Sequence, residues 1–167
     1  MRNLVIVILC ACTLFAAPAE SARASKITRS CAKSKCQVGD VVTTYSRKDD
    51  AFHACPSRWL SRYTTFALSL ASTNQPETGR LPKISAKTGE PQYISDSKGP
   101  NKTRQTLERM RAESKVSTLE QAIAKCSRGV DGRAVTIMNL KYDDRIAWVS
   151  DNKTQQTYWM PLSHIDK

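Results

Sequence analysis

Histidine is nearly absent from this chain: His53 and His164 are the two in 167 residues. That scarcity excludes a paired-histidine zinc motif. Among only six glycines there is also no phosphate-cradling loop and no serine-nucleophile turn. No acidic pair stands out from the solvated charges. An enzyme reading therefore has no evident seat, and it survives only as a small hydrolase whose scattered carboxylates and His53 meet on folding. No internal repeat is evident, and no nucleic-acid recognition motif supports a nucleic-acid partner. Long apolar runs are missing as well. The run Leu4 to Ala17 is uncharged but spans 14 residues, short of the roughly 20 that a membrane-spanning helix needs.

That short run, following Arg2 and leading into the small-residue patterns Ala17-Pro18-Ala19 and Ala22-Arg23-Ala24, has the order of an export signal. Residues 1–24 are read as a signal peptide cut after Ala24, with Ala19 as the alternative and a lipid-modified Cys12 as a minor one. Removing 24 of 167 residues leaves 143, one domain's length, 25–167. Two of the 26 basic and one of the 15 acidic residues leave with the leader, so the charge stays near +10. The expected location is secreted or periplasmic, without a transmembrane anchor.

Cysteine usage agrees. With Cys10 and Cys12 in the leader, Cys31, Cys36, Cys55 and Cys126 remain. An even number in an oxidising compartment implies two disulfides. Three pairings are open; loop length favours a bridge from the first three cysteines to Cys126, because it ties the two halves together.

Along the chain, residues 26–72 read as a hairpin plus a helix. "GDVVTTYS" (Gly39–Ser46) is rich in β-branched residues, "RKDD" offers a turn, and "AFHAC" (Ala51–Cys55) is the return strand. Pro56 suits the first position of a helix, in which Leu60, Tyr63, Ala67 and Leu70 share a face. Residues 73–102 form a flexible polar connector rich in proline, glycine and serine. Residues 103–128 are helical, broken near Ser114–Ser117, with Ser117 and Glu120 at capping-box spacing and Gly129 placed to end the segment. Residues 130–165 alternate as three strands with polar turns, an antiparallel meander. The expected class is α+β: a small antiparallel β-sheet or barrel with a helical and polar-loop insertion and two disulfides.

The last block carries a likeness. "AWV" (Ala147–Val149), a polar turn and "YWMPLSHI", with Trp159, Met160, Pro161 and Ile165, resembles the closing strands of an SH3-like barrel. There an aromatic run leads through a proline and one helical turn into the final strand. The resemblance implies a barrel and, as in exported bacterial modules of this kind, binding of cell-wall components or peptides. The chain departs from the family by the long helical stretch after its first hairpin and by lacking a recognisable acidic ligand loop.

His53 two residues before Cys55 offers a nucleophile pair, and Cys31, Cys36, His53 and Cys55 offer zinc ligands. Structural disulfides are the favoured reading of these cysteines, and no cofactor or metal is expected. "NKT" at Asn101 and Asn152 fits the glycosylation pattern but reads as turn chemistry. The excess of positive charge favours encounter with anions. Arg58 and Arg62 share a helical side. Strand alternation sets Trp159 on the face opposite Tyr158 and Met160. Trp148 is expected in the core, and Tyr158 and Trp159 in a small exposed aromatic patch. Arg58, Arg62, Tyr158 and Trp159 are thus the candidate binding residues of a non-enzymatic accessory protein engaging an anionic envelope component or a protein partner. A secreted effector or inhibitor is the alternative.

Overall fold

The structure, a computed structural model, describes residues 30–33, 35–48, 50–78, 83–92 and 102–167. The leader at 1–24 and residues 93–101, Asn101 included, lie outside them. The chain is mixed helix and strand. In order come β1 (Val41–Thr44), β2 (His53–Ala54), α1 (Arg58–Thr78), β3 (Lys83–Ile84), β4 (Pro91–Gln92), α2 (Lys102–Glu113) and α3 (Leu119–Ala124). There follow β5 (Ser127–Arg128), β6 (Ala134–Lys141), β7 (Ile146–Asp151), β8 (Thr157–Pro161), a 3-10 turn at Leu162–His164 and β9 (Ile165–Asp166).

The meander forms as expected. β6, β7 and β8 pair in sequence order, with Ile137 opposite Val149 and Trp148 opposite Trp159. Inward Val135, Ile137, Ala147, Val149 and Met160 are fully buried, which pins the register because a one-residue slip would expose the whole set. A bulge between Ile137 and Asn139 interrupts β6 and adds local twist. The 3-10 turn then carries the chain to the far side, where Ile165 pairs with Thr44 of β1. The five-stranded order β8-β7-β6-β1-β9 makes a curled antiparallel half-barrel.

The expected first hairpin does not form. A turn does join Arg47 to Asp50 (N···O 3.1 Å), but β1 pairs with β6 and β9, and β2 pairs with β5. Burial decides between the pairings: beside β6, Val42 is sealed into a cluster with Val135 and Ile165, whereas His53 and Ala54 of β2 stay only half-buried.

Helix α1 starts two residues after Pro56, with Ser57 Oγ accepting from Leu60 N (3.3 Å) at the N-terminus. Its threonines are accommodated: Thr64 Oγ1 donates to the Leu60 carbonyl (2.8 Å). Part of the expected connector is ordered. α1 runs on to Thr78, and β3 and β4 form a small ribbon that buries Glu90. Glu90 is only 6% exposed; it accepts from Tyr63 Oη (2.6 Å) and from Arg111 Nη1 (2.8 Å), so its charge is matched. The break between α2 and α3 falls where expected. The cap is Thr118 rather than Ser117, with Thr118 Oγ1 accepting from Gln121 N (3.1 Å) and Gln121 Oε1 accepting from Ser117 N (2.9 Å). Gly129 does not end the helix, which is capped at Lys125. It faces the Phe52 ring, where any Cβ would overlap the aromatic carbons.

Two apolar clusters result. One fills the half-barrel around Phe52, Val135, Val149 and Leu162. The other lies among α1, α2 and α3, around Leu60, Tyr63, Ala67, Leu107 and Met110. Each holds one disulfide, Cys31–Cys36 in the first and Cys55–Cys126 in the second. No helix among the described residues is long and apolar enough to cross a membrane.

Candidate functional site

The Cys55–Cys126 bridge joins two short segments that would otherwise be 71 residues apart. Beside it the backbones pair, His53 with Arg128 and Ala54 with Ser127. Cys55 also exchanges both backbone hydrogen bonds with Trp159 (2.9 and 2.8 Å). This ribbon therefore covers the outer edge of β8, an edge that would otherwise invite pairing with another chain. Residues on the same ribbon line two clefts.

The first is a groove of about 400 Å³, lined by Lys125, Arg128, Arg133 and Tyr158 together with Asp151 and the flanks of both cysteines. Three cations face one carboxylate. Asp151 is already engaged: its Oδ1 accepts from Lys153 N and Thr154 N (2.8 Å each), and its Oδ2 lies 3.6 Å from Arg133 Nε, an ion pair without a direct hydrogen bond. The backbone donors at Thr154 and Lys153, with Arg133 adding its charge, hold the Asp151 carboxyl below the usual carboxylate range. Among the described residues, the Lys125 and Arg128 side chains hydrogen-bond to backbone carbonyls, of Lys115 (3.4 Å) and Lys48 (3.3 Å), and both are exposed. Tyr158 is half-buried, and burial, then the Asp151 charge, pushes its phenol up to about 12. It stands neutral at physiological pH as a hydroxyl donor. Such a groove can hold the oxygens of a carboxylate, sulfate or phosphate by charge and hydrogen bonds.

The second cleft, about 540 Å³, lies between α1, residues 50–53 and the 3-10 turn, and it holds both histidines. Burial lowers both imidazoles below the ordinary histidine value. The Arg128 charge adds to this at His53, and the Asp50 charge opposes it at His164.

The residues singled out in the sequence separate. Tyr158 lines the basic groove. Trp159 does not: it stacks on Trp148 across the strands, ring centroids 6.4 Å apart, on the other face of the sheet. Trp148 is accordingly half-buried rather than a core residue. Arg58 and Arg62 are engaged within the protein. Both pair with Asp144 in the β6–β7 turn, Arg62 Nε at 2.9 Å, and Arg62 also pairs with Glu113 (3.0 Å). Their guanidinium groups lie near the Trp59 ring. They fasten α1 to the half-barrel instead of forming an open anion-binding face. Cys31, Cys36, Cys55 and Cys126 are all oxidised, so none of these four is a thiolate for His53 or for zinc. Asn152 sits exposed in the β7–β8 turn, its Oδ1 accepting from Thr136 Oγ1 (2.8 Å).

Sequence reasoning missed Lys125, Arg128 and Arg133. The signal was present in "KCSRGVDGR" (Lys125–Arg133), where cations flank Cys126, but only the disulfide partner reveals what they face. No protein-family model, characterised protein or solved structure matches the chain.

Proposed function

We propose that the protein is an exported, non-enzymatic binding protein that captures an anionic group of a cell-envelope component in the groove beside Cys55–Cys126. The observation that supports this reading is the convergence of Lys125, Arg128 and Arg133 on one Tyr158-walled groove in which Asp151 is engaged by two backbone N–H donors and by Arg133. Two disulfides suit a chain that works in an oxidising compartment. The strand order and the single 3-10 turn before β9 support an SH3-like barrel in which the loop after the first strand has expanded into the helical insertion.

The test is salt-dependent binding to purified envelope material and to heparin as a defined polyanion. Lys125→Ala/Arg128→Ala is compared with Lys33→Ala/Lys35→Ala, which removes equal charge elsewhere. The groove variant is expected to lose about tenfold or more in affinity at low salt, with the control near wild type. Equal losses in both variants would reduce the interaction to bulk charge and overturn the site. One dominant protein recovered in a salt-resistant complex would favour the inhibitor reading instead.

A further inference from the structure

We propose that the second cleft binds a small organic amine, seating an apolar body against Phe52, Leu68 and Pro161 and its ammonium between Asp50 and His164. The cleft's size, about 540 Å³, lies within the range of small-molecule sites, which pair apolar walls with a few polar groups. Its walls divide in that way: Phe52, Leu68, Ala71 and Pro161 are apolar, while His53, His164, Ser163 and Asp50 supply polar atoms.

The charge is selective. In a chain of formal net charge +11, Asp50 is the one formally charged residue among the described residues that line this cleft, so the cleft differs in sign from the basic groove.

Hydrogen-bond accounting around His164 points to a missing donor. Its Nδ1 lies 3.0 Å from the Tyr45 carbonyl oxygen. A carbonyl can only accept, so Nδ1 carries the proton and, in the neutral ring, Nε2 is an acceptor. That Nε2 lies 3.7 Å from Asp50 Oδ1. Two acceptors thus face each other across a gap too wide for a direct hydrogen bond. Protonating the ring would resolve the pairing, but burial resists it. An ammonium, with three N–H donors, satisfies both oxygen and nitrogen at once. His53 also lines this cleft, and its Nδ1 is buried with no hydrogen-bond partner among the described residues.

Three probes of one shape and different charge test the assignment: benzylamine, benzyl alcohol and benzoate. Each is titrated into the intact protein and followed by NMR at the imidazole nitrogens of His164. Benzylamine is expected to saturate and to bind at least about threefold more tightly than benzyl alcohol, as one partly exposed ion pair provides, with benzoate weakest. Asp50→Asn should erase the preference for amine over alcohol, and Ala71→Trp, which fills the cleft, should abolish binding of all three. Both variants should keep wild-type heparin binding. The proposal is overturned if no probe saturates, if benzoate matches benzylamine, if the preference survives Asp50→Asn, or if His164 is doubly protonated at neutral pH.

Discussion

Cys55 and Cys126 are bonded across 71 residues, and the sequence neighbours of each, Ala54 and Pro56 for one, Lys125 and Ser127 for the other, all line the basic groove. The bridge is therefore both a staple of the helical cluster and the frame of the basic groove. Cys31–Cys36 spans a sequence separation of only five in the half-barrel cluster, where Tyr142 Oη donates to the Cys36 carbonyl (2.7 Å) and accepts from its N–H (3.1 Å).

Removing the long bridge with Cys55→Ala/Cys126→Ala should cost about 4 kcal/mol, against about 2 kcal/mol for Cys31→Ala/Cys36→Ala, because closing the longer loop removes more entropy from the unfolded chain. Urea unfolding gives both values. Only the first variant should lose polyanion affinity under conditions where it is still folded. Intact binding by folded Cys55→Ala/Cys126→Ala would show that the groove stands without the bridge.

Gly129 is under steric control from Phe52, since a methyl group there meets the ring, and Phe52 is itself 2% exposed in the core. Gly129→Ala should destabilise by about 2–3 kcal/mol. The loss should shrink in a Phe52→Leu background, where the overlapping atoms are gone, and a double-mutant cycle reads that coupling. Additive losses would locate the glycine's role elsewhere.

Glu90 binds three elements through Tyr63 of α1, Arg111 of α2 and its own ribbon. Glu90→Gln removes the charge that Arg111 faces and should cost about 2 kcal/mol, more than the roughly 1 kcal/mol of Tyr63→Phe. The Tyr63 hydroxyl, driven well above the ordinary tyrosine range by burial and by its bond to Glu90, should stay un-ionised in an alkaline spectrophotometric titration of the folded protein. Early ionisation would contradict this packing.

Stability should fall in two stages on acidification. Both histidines titrate below their unfolded value of 6.5 because burial disfavours the cation. The unfolded chain then binds more protons, and stability that is complete above pH 6.5 is lost as pH drops through the folded values. Asp40 and Asp151 are also lowered, Asp40 chiefly by Lys167 and Asp151 by backbone donors, from 3.8, so their contribution disappears only in stronger acid. Melting temperature against pH should therefore decline first below 6.5 and again below 3.8, with His164→Asn flattening the first decline. A midpoint that holds steady from about pH 7 to about pH 5 would refute the histidine part.

Local patterns made much of this legible. Alternation in Ala134–Lys141, Ile146–Asp151 and Thr157–Pro161 marks the meander because a half-buried strand needs a period of two. The apolar face of Leu60, Tyr63 and Ala67 marks α1 in the same way. Non-local choices were not legible. Val41–Thr44 looks like half of a hairpin until the partner that buries Val42 is known. Glu90 looks solvated until Tyr63 and Arg111 meet it, and Arg58 and Arg62 look like an open cationic face until Asp144 arrives.

What the amino-acid order determined alone was the three meander strands, the helical segments and a cysteine count suited to two bridges, since these depend on neighbours a few residues apart. Which cysteines pair, which cations stay open to solvent and which carboxylate and imidazole share a cleft were decided only by the tertiary structure. Those outcomes depend on contacts between residues tens of positions apart, where burial and charge compensation, rather than local period, select the partner.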